Sequence, residues 1–226
     1  MLLAFDTATP QVTVALHDGD DVVAETASDR TMKHGEQLAP MLSAIMAEAG
    51  IARQDLTAIA VGAGPGPFTG LRVGLVTART LGFALEIPVY AACSLDVLAV
   101  EAVSGGPVST GAGGREDGRF FVAIDARRKE VYLASYDADG ARLEGPAVAR
   151  PAEVATTAPV VGEGALLYPE AFPLPTGPLR PSAGWLARAV AEERVELMDP
   201  EPLYLRRPDA VEQAARKPAD QTSVAR

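Results

Sequence analysis

Residues Val61–Gly74 read "VGAGPGPFTGLRVG". An apolar run leads in and an amphipathic helix leads out, so the stretch is a strand–loop–helix junction rich in Gly and Pro. Two chemistries produce such a junction. Its glycines can let backbone N–H groups cradle a phosphate, or they can permit a sharp bend that Pro65 and Pro67 then stiffen. No Gly-Lys-Ser/Thr follows, so this is not a P-loop. The G-x-G-x-x-G pattern begun at Gly62 puts Pro67 where Gly or Ala belongs, so it is not a dinucleotide fingerprint either. The stiff turn is favoured, with Gly64, Pro65, Gly66, Pro67, Thr69 and Gly70 as structural loop residues that present the next helix at a fixed angle. A direct phosphate role is the second reading.

The helix leaving the loop, "FTGLRVGLVTARTLGFALE" (Phe68–Glu86), carries two stripes. Leu71, Gly74, Ala78, Leu81 and Leu85 fall within about 80° on a helical wheel, and Gly74 and Ala78 permit close packing against a sheet or helix. Arg72, Val76, Arg79 and Phe83 form the other stripe. A helix apolar on two sides needs two burial partners, and the second stripe, with its arginines and aromatic ring, suits a subunit interface. The helix upstream, "HGEQLAPMLSAIMAEAG" (His34–Gly50), places Leu38, Met41, Leu42, Ile45, Met46 and Ala49 on an arc of about 140°. Leu38, Met41, Leu42 and Ile45 beside Arg72, Val76, Arg79 and Phe83 are expected to make one apolar patch edged by two guanidinium groups. Burial of both helices within a single chain is the alternative.

Further out, "LLAFDT", "VTVAL" (Val12–Leu16) and "VVAET" (Val22–Thr26) read as an antiparallel meander. Its hairpin signal is Asp18-Gly19, and Asp18, Asp20 and Asp21 are solvated turn residues. "LTAIAV" (Leu56–Val61) is the strand feeding the Gly/Pro loop. "IPVYAACS" is a further strand and "LDVLAVEAV" a third helix. The stretch "SGGPVSTGAGGREDG" reads as a flexible linker between lobes. "RFFVAIDA" and "EVYLASYDADG" are strands joined at "RRK", "APVVGEGA" is a strand and turn, and "SAGWLARAVAEER" is a helix capped by Ser182. "DPEPLYLRRP" is extended, and the end of the chain reads as a loose tail. The domains expected are 1–103, a linker at 104–118, a smaller lobe at 119–206 and a tail at 207–226. No internal repeat is evident.

Composition narrows the function. The 226 residues are 48% hydrophobic, which excludes general disorder. Thirty Asp and Glu outweigh twenty Lys and Arg, for a formal net charge of −10. Such a chain is not built to grip nucleic acid by itself, since phosphate contacts dominate that binding. The notable basic clusters, Arg127, Arg128, Lys129 and Arg206, Arg207, are each short. No apolar run approaches the ~18 residues of a membrane span, and no secretory leader is evident. Cys93 is the only cysteine, so no internal disulfide forms, and a cytoplasmic location is expected.

Five segments, in this order and spacing, resemble the TsaB family: "LLAFDTAT", "HGEQLAPML", "GAGPGPFTGLRVGLVTARTLGFAL", "IDARRKEVY" (Ile124–Tyr132) and "PLYLRR" (Pro202–Arg207). The resemblance implies an α/β, two-lobed fold like that of actin, Hsp70 and sugar kinases, with a five-stranded mixed sheet in the first lobe and a reduced second lobe. It implies a non-catalytic subunit that pairs through its first two helices with a TsaD-like enzyme. A TsaE-like ATPase would join the complex, and tRNA would be reached only through the assembly. That assembly moves a threonylcarbamoyl group from an adenylate to a tRNA adenosine beside the anticodon. Without the enzyme, a second copy of the chain would cover the same face.

The residues were weighed against an enzyme of the same superfamily, either an ATP-dependent transferase or a glycoprotease-type peptidase. A TsaD-like enzyme holds its metal with two histidines one helical turn apart. Here His34 opens the first helix with Leu38 four residues on, and His17 lies in the hairpin, so no pair forms and no metal ligand set is expected. Asp6-Thr7-Ala8-Thr9 and Ile124-Asp125-Ala126-Arg127 stand where kinases of this fold place phosphate loops. Both lack the glycine that lets a backbone approach phosphate. No nucleophile elbow is present, and Cys93 in an apolar run reads as an inert thiol. No catalytic residue and no cofactor is expected, with a nucleotide at the partner interface left open.

Overall fold

The structure, a computed structural model, describes residues 1–28, 33–105, 108 and 118–206. Most of the expected 104–118 linker, and all of the 207–226 tail, lie outside the described residues. Two five-stranded mixed sheets form the frame, with orders β3-β2-β1-β4-β5 and β10-β9-β6-β7-β8. The first contains β1 (Leu2–Asp6), β2 (Thr13–His17), β3 (Val22–Ala27), β4 (Ala58–Gly62) and β5 (Val89–Ala92). The second contains β6 (Phe120–Asp125), β7 (Val131–Tyr136), β8 (Arg142–Ala149), β9 (Val160–Val161) and β10 (Pro175–Thr176).

The meander expected at the N-terminus is present: β1 and β2, then β2 and β3, pair antiparallel. Asp18 Oδ1 accepts the Asp20 and Asp21 N–H groups in the turn, both at 2.9 Å. β4 and β5 then join β1 in parallel, which requires crossovers long enough to hold helices. These are α1 (His34–Glu48) between β3 and β4, and α2 (Phe68–Leu85) between β4 and β5. Both bury an apolar stripe against one face of the first sheet, with Leu3, Phe5, Ile59 and Val61 beneath them.

The expectation of no repeat is corrected by topology. β6 pairs antiparallel with β7, β7 with β8, and β6 and β9 run parallel, as do β9 and β10. Renumbered from its first strand, the second sheet has the order 3-2-1-4-5, the same as the first. No sequence likeness advertises this, because a strand order constrains alternation and turns rather than particular residues. The crossover helices of the second half are reduced to a 3-10 turn and α4 (Glu163–Leu167), so the smaller second lobe that the resemblance implied is present.

The span 119–206 is not one lobe, however. Its helix α5 (Ala183–Ala191) is capped as expected, with Ser182 Oγ accepting the Trp185 N–H at 3.1 Å. Yet Ala183, Leu186, Ala187 and Val190 pack on Ala4, Ala15, Ala60 and Ala92, the alanine-lined second face of the first sheet. Alanines there let a helix approach closely. Helix α3 (Ser94–Ser104) lies between the lobes. It sends Leu95, Leu98 and Ala99 to the second sheet and Val97 to the α5 side. Tyr136 Oη donates to Asp96 Oδ1 at 2.8 Å, and Arg142 bridges Asp96 and Glu196 at 3.2 and 2.9 Å. This network ties α3, β7, β8 and the segment after α5 together.

Candidate partner-binding face and interlobe cleft

The Gly/Pro loop cradles its own chain. An added Cβ at Gly66 would lie 2.3 Å from the Ala8 carbonyl oxygen, and one at Gly74 would lie 2.4 Å from Thr7 Oγ1. The turn after β1 thus presses into the loop and into the first turns of α2, where any side chain would collide. Thr7 Oγ1 donates to the Gly70 carbonyl at 2.9 Å. From the other side His34, buried at the start of α1, donates from Nε2 to the Thr9 carbonyl at 2.7 Å. The loop is also anchored from behind: Ser94 N–H donates to the Gly64 carbonyl at 2.8 Å, and Leu203 N–H to the Ala63 carbonyl at 2.9 Å. Pro65 and Gly66 are buried, and Pro67 caps α2 from extended backbone, with Thr69 exposed one residue into the helix. Beneath Gly66 and Gly74 the space that a side chain would need is filled by the turn after β1.

Asp6 shares this closure. It is 3% exposed, and its carboxylate accepts the Ser94 hydroxyl and the Ala8 N–H, both at 2.6 Å. Burial raises its pKa, with those two hydrogen bonds opposing. Cys93, also buried, has its thiol pushed up to about 12, first by burial and then by Asp96; it is protonated at neutral pH, as expected of an inert thiol. Among the described residues, no group of three or more His, Cys, Asp or Glu is placed to hold a metal.

The outer stripe of α2 is where the sequence placed it. Leu71, Gly74 and Ala78 are buried, while Arg72, Val76, Arg79 and Phe83 all face solvent. Val76 is 57% exposed and Phe83 is 88% exposed, so a large ring stands almost wholly in water. The expected contribution of α1 is corrected. Leu38, Leu42 and Ile45 are core residues, and Met41 is half-buried against the same core. None of the four is exposed, although Leu42 lines the groove between α1 and α2. The spacing His34, Leu38, Leu42, Ile45 is itself the signature of one inward stripe. What α1 offers the surface instead is one wall of a groove: Ala39, Leu42, Ser43, Met46 and Ala47 face Thr77, Leu81 and Leu85 of α2 across it.

A second feature opens where the lobes meet. A cavity of about 280 Å³ is bordered by Pro67, Phe68 and Thr69 of the first lobe, by Arg127, Arg128 and Tyr132 of the second, and by Tyr204 and Arg206 of the C-terminal strap. Phe68 stacks on Tyr204 with ring centroids 5.0 Å apart, and the Arg72 guanidinium lies over the Phe68 ring, 5.1 Å from its centroid. Arg206 donates to the Ala126 carbonyl at 2.7 Å and pairs with Glu130. These residues belong to two separate motifs, "IDARRKEVY" and "PLYLRR", and their meeting at the start of α2 is not readable from either.

Comparison with known proteins agrees with the geometry. Residues 20–178 match the family model described as TsaD, tRNA N6-adenosine threonylcarbamoyltransferase. The uncharacterized protein Rv3421c of Mycobacterium tuberculosis is 42% identical over 92% of this chain and 93% of its own. The tRNA threonylcarbamoyladenosine biosynthesis protein TsaB of Bacillus subtilis is 35% identical over 63% of this chain and 58% of its own length. YeaZ from Pseudomonas aeruginosa superposes with a TM-score of 0.69 at 33% identity, covering 90% of this chain and 99% of that one. A likeness to YeaZ that spans nearly the whole of it, together with the match to named TsaB relatives, places this chain in the TsaB family.

Proposed function

We propose that this chain is a non-catalytic subunit of the machinery that makes threonylcarbamoyladenosine in tRNA, and that it binds and activates a TsaD-like transferase. The observation that carries the reading is the outer face of α2. Val76 and Phe83, flanked by Arg72 and Arg79, are displayed to solvent on a rigid helix beside the small-residue groove of α1. Aromatic and Arg residues around an apolar centre are the composition of an interface hot spot. Small residues on α1 let a partner helix approach closely, and the larger side chains of α2 supply the buried area. In the absence of the enzyme a second copy occupies the same face about a two-fold axis, so homodimer and heterodimer compete. A TsaE-like ATPase joins the assembly in the cytoplasm, and tRNA is contacted through the complex, in keeping with the net charge of −10.

Co-purification tests this directly. The chain should capture a TsaD homologue, and Phe83→Ser should lose both that capture and self-association while keeping its circular dichroism spectrum. A folded variant that retains both would overturn the assignment of the face.

The matched family model is named for a transferase, which favours one second reading: a superfamily enzyme. Metal analysis and an ATPase assay on the purified chain separate the two. Stoichiometric zinc or iron, or turnover above a mock preparation, would support the enzyme.

A further inference from the structure

We propose that the surface fitting the outer face of α2 carries two carboxylates about 10 Å apart, set beside an apolar centre, and that a second copy of this chain, which lacks them, is the weaker occupant. This rests on the partner-binding reading and adds to it the chemistry of the partner and the direction of exchange.

Thirty Asp and Glu stand against twenty Lys and Arg in the chain, and Arg142, Arg180, Arg188 and Arg206 each pair with an acid. Arg72 and Arg79, both exposed, pair with none among the described residues. Arg72 lies over the Phe68 ring, and Arg79 has neither a polar nor a ring partner there. No acid occurs in α2 itself, from Phe68 to Leu85. The two arginines are seven residues apart, two turns of helix, so they leave one face at a spacing of about 10 Å. Val76 stands between them and Phe83 beyond, the apolar centre that a partner would cover. Covering it draws the guanidinium groups out of water, which is unfavourable unless acids meet them. A carboxylate can accept two parallel bonds from the planar guanidinium fork.

A second copy cannot supply those acids. A two-fold axis sets the stripe against itself. Arg72 then faces Arg79 when the axis passes between them, and Arg79 faces Arg79 when it passes there. Glu86, which ends the helix, comes opposite Arg72 only in the second case. Pairing α2 with α1 of the copy does no better. Between Glu36 and Glu48 the exposed residues of α1 are Ala39, Pro40, Ser43, Ala44 and Ala47, none of them charged, and Glu36 already pairs with Lys33 at 3.0 Å. Like charges brought together disfavour one partner and so choose the other. Self-association covers the apolar stripe but gives way to a partner whose acids match the arginines.

Sedimentation velocity on the full chain, alone and with a TsaD homologue, tests this at about 0.05 M and about 0.5 M NaCl, where the Debye length falls from about 14 Å to about 4 Å. Capture should weaken at least about fivefold at the higher salt, while self-association should tighten. Arg79→Gln should weaken capture by roughly fivefold, tighten self-association and flatten both salt dependences. Arg79→Lys, which keeps the charge, should stay nearer the parent, and circular dichroism checks that each variant is folded. A merely structural role for Arg79 would not move the two complexes in opposite directions. Capture insensitive to both salt and Arg79→Gln would remove the carboxylates and leave the partner-binding reading standing. Self-association that weakens with salt would overturn the order of the two occupants. Failure of the parent chain to capture the enzyme at either salt would take away that reading and this inference together.

Discussion

Asp6 and Asp125 occupy equivalent places, each ending the first strand of a 3-2-1-4-5 sheet and each accepting the N–H two residues on, at 2.6 and 2.8 Å. Their surroundings then part. The turn after Asp6 is sealed by α2, whose glycines receive it, and by His34 of α1. The turn after Asp125 is open, with Arg127, Arg128 and Lys129 all exposed and all in the left-handed region, at φ of 61°, 55° and 60°. Three consecutive side-chain-bearing residues there are costly and persist only where the surroundings impose them; here the Arg206 strap does so. One strand order therefore supports two outcomes. Where long crossover helices pack on the sheet, the first turn is buried and the helices' outer faces become available to a partner. Where the crossovers shrink to a few residues, the turn stays at the surface.

The sharpest break of this comparison is a pair of identical replacements on the two faces of the first lobe. Ile45→Asp puts a charge where the side chain is 2% exposed. It should cost about 3–5 kcal/mol, a large part of a total stability of about 5–15 kcal/mol, and circular dichroism should show loss of the fold or a much lower melting point. Val76→Asp, on the outward face, should change stability by no more than about 0.5 kcal/mol while abolishing capture of the TsaD homologue. If both variants behave alike, the helices do not have the inward and outward faces described.

The seal itself is tested next. Gly66→Ala drives a methyl group against the Ala8 backbone, which cannot swing away as a side chain could, and should cost about 3 kcal/mol. Gly105→Ala, which meets nothing within 4 Å, should stay within about 0.5 kcal/mol of the parent. Urea midpoints compare the two, and equal midpoints would mean that the turn after Asp6 is not packed as a closed unit. In the open half, Arg206→Ala removes the donor to the Ala126 carbonyl and should cost about 1.5 kcal/mol. Amide exchange should quicken at residues 126–130 and not at residues 7–12; uniform quickening would show that the strap does not act locally.

The first lobe was far more legible than the second. Each of its five strands and both of its crossover helices announced themselves, because strands of four to six residues and helices of fifteen and eighteen carry several turns of periodicity. β8 was missed. Gly145 and Pro146 interrupt its alternation, and its pairing with β7 shifts register twice. β9 and β10 have two residues each, too few for any period, so β10 was not anticipated at all. At the candidate face, the outward stripe of α2 was readable because Arg72 and Arg79 mark it polar-edged. The α1 contribution was not, because the residues that reach the surface there are alanine and serine, whose small side chains give no contrast between faces. The destination of α5 was invisible for a related reason: its contacts are the alanines of a distant sheet.

A pH-dependent effect is expected where the first sheet, α3 and α5 meet. Glu101 on α3 has one carboxylate oxygen buried with no hydrogen-bond partner. Glu25 on β3 is the charged neighbour that acts on it, and Glu25 in turn accepts the Gly184 N–H at the start of α5, at 3.0 Å. Burial first, and then Glu25, raise the Glu101 pKa from 4.5 to about 7. The folded chain therefore holds a proton at Glu101 between those values that the unfolded chain has released. By linkage its stabilising contribution is complete below about pH 4.5, shrinks as pH rises, and is gone once pH passes about 7. Glu101→Gln cannot ionise and should lack this loss. Melting temperatures of parent and variant, followed from about pH 4.5 to about pH 8, should start close together and separate in the variant's favour towards alkaline pH. Parallel curves would mean that Glu101 ionises freely, and that the contact between α3 and the edge strand β3 is open to water.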